Sequence, residues 1–344
     1  MDRLYSTSAL IRVIEGPGFR PHAWLRDRYF GNAVAFPTSE IAFDKLKMRR
    51  KLAPFVSPRV AGKARQTRGR QVTTFEPAYV KPKGEVSPEE NFVRLEGERF
   101  AGDLSPEERF QRNTYKVLEE QEQEITRREE WMCAQALITG KVIVAGEDYP
   151  EQEIDYDRLP SLTKQLLTTD RWGEAGVDVL SDLRAWATQV SVASGAAATD
   201  VLFGAEAAEI FQRDQNVRDI LDNRRQATGS MELGPVVTGS EDMVAAYLGS
   251  IGMFNFWQYT QKYEDDAGVT QDMFPSLGCA LVAPQAYDGM MTYGAIKDNR
   301  VLRPASRYPK MWDQEDPSIT FLMTQAAPLP VPSDANGSAF ISVR

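Results

Sequence analysis

Histidine is the side chain most often used to move protons near neutral pH, and this chain has one, His22. With a single histidine, set in a Pro- and Gly-rich stretch, neither a Ser-His-Asp triad nor a multi-histidine metal site can be assembled. Cys133 and Cys279 are the only thiols. They are too few for a disulfide framework and too far apart for a zinc knuckle, so buried reduced thiols are expected. Gly140-Lys141 lacks the upstream glycine and the following Ser or Thr of a phosphate-binding loop, and no G-x-G-x-x-G segment follows a strand pattern. Asp334, Asn336 and Gly337 make only a fragment of a calcium loop, and an Asx-type turn is the expectation there. Carboxylates abound, but nothing marks one pair for general acid and base work. Phe254, Phe256, Trp257 and Tyr259 could stack on bases, yet Lys262 is the only cation close by, so a sheet core is expected. No catalytic, cofactor or metal site is expected.

What remains is charge, and the elements that would hold it. The net charge of −9 conceals an asymmetry: residues 1–90 carry 17 Lys and Arg against 9 Asp and Glu, net +8, and the remainder carry 23 against 40, net −17. A basic arm and an acidic body suit head-to-tail association as well as two separately solvated surfaces. In the basic part, Arg59, Lys63, Arg65, Arg68 and Arg70 surround Gly62 and Gly69, flanked by the apolar 52–56 run and the alternating 72–80 stretch. That is the pattern of a long hairpin with a basic tip. Eight prolines between residues 17 and 88 exclude long helices there. An isolated two-stranded ribbon is marginal in water, so Leu52, Phe55, Val56 and Phe75 are expected to be exposed on the lone chain and covered by a neighbour. A hairpin folded back over its own core is the alternative.

The strongest helix pattern follows. Ser105, Pro106, Glu107 and Glu108 supply an N-cap, a proline at the first helical position and a capping-box glutamate. Phe110, Val117, Leu118, Ile125, Met132 and Ala136 then recur at helical spacing until Gly140. About 35 residues would form a rod of roughly 50 Å. With a narrow apolar stripe and the glutamates Glu119, Glu120, Glu122, Glu124, Glu129 and Glu130, most of its surface is expected to face water or a charged partner. Glu119, Glu120, Glu122 and Glu124 are the candidates to receive a neighbour's basic tip. No strict heptad is held, which argues against a coiled coil. Beyond Gly140 the pattern predicts strands at 142–145 and 154–159 and helices at 178–194 and 205–221. It also predicts an aromatic strand at 253–263 that turns at 265–268 and pairs with 277–283. Together these give an α+β fold. Composition, 42% apolar and 26% charged, is that of a folded globular chain. No apolar run approaches the roughly 20 residues that cross a bilayer, and residues 1–16 lack the features of a secretory signal, so a cytoplasmic setting is expected.

Several segments also resemble, in order, landmarks of the lambda-type phage major capsid protein E family. They are Ile41-Ala-Phe-Asp44, Leu52-Ala-Pro-Phe-Val56, Tyr79-Val-Lys-Pro-Lys83, Ile125-Thr-Arg-Arg-Glu-Glu130 and Thr139-Gly-Lys141. Ala193-Ser-Gly195, Tyr293-Gly-Ala-Ile296 and the closing Ala327-Pro-Leu-Pro-Val-Pro332 fit later landmarks, so the resemblance spans about nine-tenths of the chain. It implies the α+β fold of tailed-phage major capsid proteins (Hong Kong 97 phage-like). In that plan residues 1–45 are an N-terminal arm, 46–100 an E-loop hairpin, 101–175 a peripheral domain with a spine helix, 176–303 an axial domain, and 304–344 a return to the peripheral domain.

The function implied is self-assembly into hexamers and pentamers of an icosahedral head enclosing double-stranded DNA, made in the host cytoplasm and ending in the virion. Implied partners are other copies of the chain, portal, scaffold and cement or decoration proteins, and DNA held without sequence specificity; no membrane and no cofactor are implied. With no long acidic helical leader ahead of residue 18, a fused scaffold domain is not expected. Two other classes remain: the shell of a cellular nanocompartment, which electron microscopy would separate by its small protein-filled cages, and a carboxylate-dependent hydrolase, which would need a concave site with shifted carboxylates.

Overall fold

The structure, a computed structural model, describes residues 5–14, 16, 23–38, 40–45, 71–93, 104–146, 149–219, 236–237, 245–265, 267–299 and 304–344. Two short helices, α1 (Thr7–Ile14) and α2 (Trp24–Tyr29), precede the long α3 (Pro106–Thr139); α4 (Val179–Ser194) and α5 (Ala205–Arg213) follow. The rest of the described residues is mainly strand, in six sheets or hairpins, so the chain is α+β.

Helix α3 begins and ends where local chemistry requires. The Ser105 hydroxyl accepts from the Glu108 amide at 3.2 Å, and the Glu108 carboxylate accepts from the Ser105 amide at 2.7 Å. Two of the first turn's orphan donors are thereby satisfied. At the far end Gly140 turns left-handed at φ 71°, and a Cβ there would come within 2.7 Å of the Arg158 side chain. Arg158 needs that space. Among the described residues it has no carboxylate partner, and it donates instead to the last-turn carbonyls of Leu137, at 2.6 Å, and Ile138. Burial lowers its pKa to about 10, and the carbonyl end of the helix is where a cation is best placed. Replacing Ser105 by alanine should lower subunit stability by about 0.5–2 kcal/mol, read from the urea midpoint of unassembled protein; no shift would mean that the first turn is held by other contacts.

The largest sheet has seven strands, in the order Thr163–Gln165, Ser338–Ser342, Gly278–Val282, Asp200–Phe203, Phe254–Tyr259, Ala245–Ile251 and Val236–Val237. The aromatic strand therefore does not pair with 278–282: Asp200–Phe203, four consecutive buried residues, lies between them, parallel to one and antiparallel to the other. A strand buried on both faces carries no alternation to announce its place. Residues Lys262–Glu264 instead pair with Thr270–Asp272. Two other expected elements are shorter or shifted. The strand expected at 142–145 is Lys141–Gly146, but its partner, expected at 154–159, is Tyr149–Asp155, because Asp157 takes a left-handed φ of 57°; the helix expected at 205–221 breaks after Arg213, where Asp214 turns extended, and resumes over 215–219.

A three-stranded sheet, Tyr308–Gln314, Ile319–Gln325 and Lys83–Val86, lies along α3. Gly84 permits this approach, since a Cβ there would meet Val117 at 2.4 Å. Gln121 of α3 donates to the Leu322 carbonyl and accepts from the Thr324 hydroxyl, both at 2.8 Å. The C-terminal stretch thus divides: 308–325 lies on α3, and the final strand enters the seven-stranded sheet.

The 41–45 strand, which the sequence reading placed in the arm, pairs antiparallel with 71–75, whereas the expected 52–56 flank lies outside the described residues. The anchoring of this pair differs from the expectation, because Ile41 is fully buried and the opposed Phe75 is half-buried, both against the subunit's own core. Leu52, Phe55 and Val56 lie outside the described residues. The two cysteines are free and buried, Asp334 makes the expected Asx-type turn onto the Asn336 amide at 2.9 Å, and the rings of Phe254, Phe256 and Tyr259 are core.

Candidate assembly site: a buried charge cluster and an exposed acidic face

Of the glutamates on α3, Glu119, Glu120 and Glu124 are exposed. Glu122 is not available to a partner: it is buried, and the Arg307 guanidinium donates to it at 3.0 Å. Glu129 and Glu130, also expected on the solvated surface, are completely buried. The reason is helical geometry. Positions 122 and 129 share the face of Leu118, Ile125 and Met132, position 130 lies beside the buried Thr126 and Cys133 on an adjoining face, and partners brought from far along the chain satisfy all three. The basic residues Arg59, Lys63, Arg65, Arg68 and Arg70 lie outside the described residues, so the expected pairing has one described side.

Glu129 is the centre of the cluster. One of its oxygens accepts from Arg307 at 2.7 Å and from the Tyr293 hydroxyl at 3.0 Å, and the other accepts from Arg26 at 2.9 Å. Glu130 caps α2: it accepts the backbone amides of Leu25 and Arg26 at 2.8 and 2.9 Å and the Tyr259 hydroxyl at 2.7 Å. A carboxylate at a helix N-terminus satisfies orphan donors and opposes the positive end of the helix dipole. Alongside, Arg28 grips Asp200 through two nitrogens, at 2.9 and 2.6 Å, and lies 4.5 Å from the centre of the Trp257 ring. The Tyr29 hydroxyl adds a third donor to Asp200 at 3.1 Å. Residues 24–29, the middle of α3, the seven-stranded sheet and Arg307 are thus fastened at one place.

The three acids respond differently to this setting. Burial pushes the Glu122 carboxyl up against the pull of Arg307, since only one of its oxygens is bonded and the other is buried without a donor among the described residues. Burial also raises Glu130, despite its amide and hydroxyl donors. Burial would raise Glu129 too, but Arg307 and Arg26 together hold it below its ordinary value. Opposite pH dependences follow. Glu122 contributes stability below its ordinary value of 4.5 and loses that contribution as pH rises through its raised pKa, whereas Glu129 contributes above 4.5 and loses it as pH falls through its lowered one. Glu122→Gln should therefore gain on the parent protein as pH is raised from acid to neutral, while Glu129→Gln falls further behind. Urea unfolding across that range checks this, and parallel curves for the two variants would refute it.

A cavity of about 400 Å³ opens beside the cluster, lined by Arg26, Glu122, Tyr293 and Arg307 with the apolar Ile11 and Ile14. Its arginines are already paired with Glu122 and Glu129. The arrangement fixes charges in place and joins distant segments; no group is poised beside a nucleophile. Among the described residues no three His, Cys, Asp or Glu side chains are grouped to hold a metal, and no helix is long and apolar enough to cross a membrane.

The exposed face lies at the other end of α3. Asn113, Lys116, Val117 and Glu120 form one wall of a groove whose other wall is Glu85, Ser87, Glu89, Glu90 and Val93. Sequence reasoning named only Glu120 of this set. It also missed Arg26, Arg28, Asp200 and Arg307, for which the one available sign was the placement of Glu122 and Glu129 two turns apart on the apolar face.

Known proteins are similar over almost the whole length. The phage major capsid protein E family matches residues 6–343. The major capsid protein of Escherichia phage lambda is 27% identical, that of Escherichia phage N15 is 29% identical, and each alignment covers 99% of both chains. A crystallographically solved prophage capsid protein of E. coli CFT073 superposes with a TM-score of 0.76 at 25% identity, covering 99% of each chain. The capsid of cyanophage P-SCSP1u shares the fold with a TM-score of 0.51 at 8% identity, over 94% of this chain and 89% of that one. The chain belongs to the phage major capsid protein E family, and it is a structural protein of a phage head shell, not an enzyme.

Proposed function

We propose that copies of this chain assemble in the host cytoplasm as hexamers and pentamers and close into an icosahedral head around double-stranded DNA, with portal and scaffold proteins, and cement or decoration proteins, as further partners. The observation that carries this reading is the end-to-end match to head proteins of lambda-like phages. Residues 1–45 serve as an N-terminal arm, 46–100 as the E-loop, 101–175 as the peripheral domain, 176–303 as the axial domain, and 304–344 as the return. The cap-to-cap helix α3 and the strands of 308–325 lying along it support that division. DNA would be confined without sequence preference, since the chain carries a net charge of −9 and non-specific contact depends on basic surface.

The basic residues Arg59, Lys63, Arg65, Arg68 and Arg70 then meet acidic surface on a neighbour, with Glu119, Glu120 and Glu124 still exposed for it. Exposed ion pairs contribute only about 0–1 kcal/mol each and are screened by salt, so they set register while buried apolar contacts supply affinity. Electron microscopy and sedimentation of the purified chain should show rings of five and six and closed shells, forming more slowly as salt is raised. A dimer or tetramer persisting at all concentrations would refute the proposal, and small protein-filled cages would point to a nanocompartment.

A further inference from the structure

Asn336 is the one asparagine in the chain that is followed by glycine. With no side chain at residue 337 to hinder it, the backbone nitrogen there can reach and attack the Asn336 side-chain carbonyl carbon wherever the chain is free to turn. In that reaction the Gly337 nitrogen gives its proton to water and bonds to Cγ, the Cγ–Nδ2 bond breaks, and the side-chain nitrogen leaves as ammonia. Water then opens the cyclic imide at one of its two carbonyls. One opening leaves aspartate. The other leaves isoaspartate, in which the main chain runs through Cβ and Cγ and is one carbon longer. The net change is uptake of one water and loss of one ammonia.

The folded subunit opposes the first step. Gly337 closes the short 3-10 turn Ala335–Gly337, and its N–H donates to the Asp334 carbonyl at 2.9 Å. Its carbonyl accepts from the Ala283 amide at 2.7 Å, and a Cβ on it would lie 2.9 Å from the Tyr287 nitrogen. The residue is therefore clamped on both sides and cannot swing toward its neighbour's side chain. Asn336 is held as well: its Oδ1 accepts from the Leu159 amide, and its own amide donates to the Asp334 carboxylate, each at 2.9 Å.

The position gives the reaction its consequence. The strand Ser338–Ser342 follows at once, lies between Gly278–Val282 and Thr163–Gln165, and buries its first four residues. An added main-chain carbon at residue 336 moves that strand against two fixed neighbours, and the close packing around Gly337 leaves no room to absorb the shift. We propose that Asn336–Gly337 is a deamidation site silenced by folding: chains whose last strand stays undocked are converted there to isoaspartate, and the converted chains no longer fold. This goes beyond the shell reading and stands without it, being a property of the single subunit.

The test holds the full-length, unassembled subunit at mildly alkaline pH, either folded or in urea, and samples it over time. The tryptic peptide that follows Lys310 has Asn336 as its one asparagine, so its mass follows deamidation, and enzymatic methylation of isoaspartate follows the longer-chain product. Dilution from urea, read by far-ultraviolet circular dichroism, follows recovery of the fold. An interior strand opens only with much of the structure, so residue 336 is expected to react at least about a hundredfold more slowly in the folded chain than in the unfolded one. Recovery on dilution should fall in step with isoaspartate content. Asn336→Gln, whose side chain would have to close a larger ring, should keep its recovery through the same hold. If that variant does not fold, the division of the parent's own isoaspartate between recovered and unrecovered protein decides the point. A folded-state rate within about tenfold of the unfolded one would overturn the proposal, and so would native subunits recovered with isoaspartate at residue 336.

Discussion

Glu129→Gln is expected to destabilise the subunit by about 3–5 kcal/mol, the range found when one member of a buried, hydrogen-bonded ion pair is removed. Glutamine keeps the shape of the side chain but not its charge. Arg26 and Arg307 would then face each other across a largely buried site, Arg26 left with Asp27 and Arg307 with Glu122. Each guanidinium is held in its charged form by Glu129, against burial that favours the neutral one. The measurement is urea unfolding of unassembled subunits at neutral pH. A loss below about 1 kcal/mol, the range of exposed pairs, would show that water enters and solvates the arginines.

Phe203→Ala should have an effect of similar size for a different reason. Phe203 is fully buried in the core packed around α4 and α5, with ring centroids 4.9 Å from Phe211, 5.8 Å from Phe256 and 6.0 Å from Trp172. Removing a core phenylalanine costs about 3–5 kcal/mol, depending on how far the site collapses. Collapse is restricted here. The next residue, Gly204, presses against the Pro275 carbonyl so closely that a Cβ would lie 2.1 Å from it, and Phe203 itself is hydrogen-bonded between two strands. The upper part of the range is expected in thermal or urea unfolding. A cost below about 1.5 kcal/mol, typical of a core that repacks, would mean that the aromatic cluster rearranges.

Local chemistry was legible where it is written in neighbouring residues. Ser105, Pro106 and Glu108 marked the start of α3 and Gly140 its end, and both hold to the residue. Asp178 likewise caps α4 through its own carboxylate. What could not be read was the sign of exposure for a charged residue on that helix. Hydropathy places Glu122, Glu129 and Glu130 in water, and only tertiary partners at residues 25, 26, 259, 293 and 307 reverse the assignment. The groove was half legible for the same reason: Glu120 sits on a recognisable helix, but Glu85, Glu89 and Glu90 reach it only because Gly84 lets one strand lie against Val117. Strand order is the plainest failure. Four buried residues at 200–203 separate two strands that sequence alone would have paired.

The distribution of partners around Glu129 also bears on how the chain is made. Arg26 is made about a hundred residues before Glu129, and Arg307 almost two hundred after it. The last strand, Ser338–Ser342, is an interior member of the seven-stranded sheet. A nascent chain therefore lacks the second of Glu129's two counter-charges until Arg307 is made, and an interior strand of its largest sheet until residue 342 is made. A polypeptide stopped before Arg307 would lack both, so the building unit of the shell is expected to be a chain made at least through residue 342.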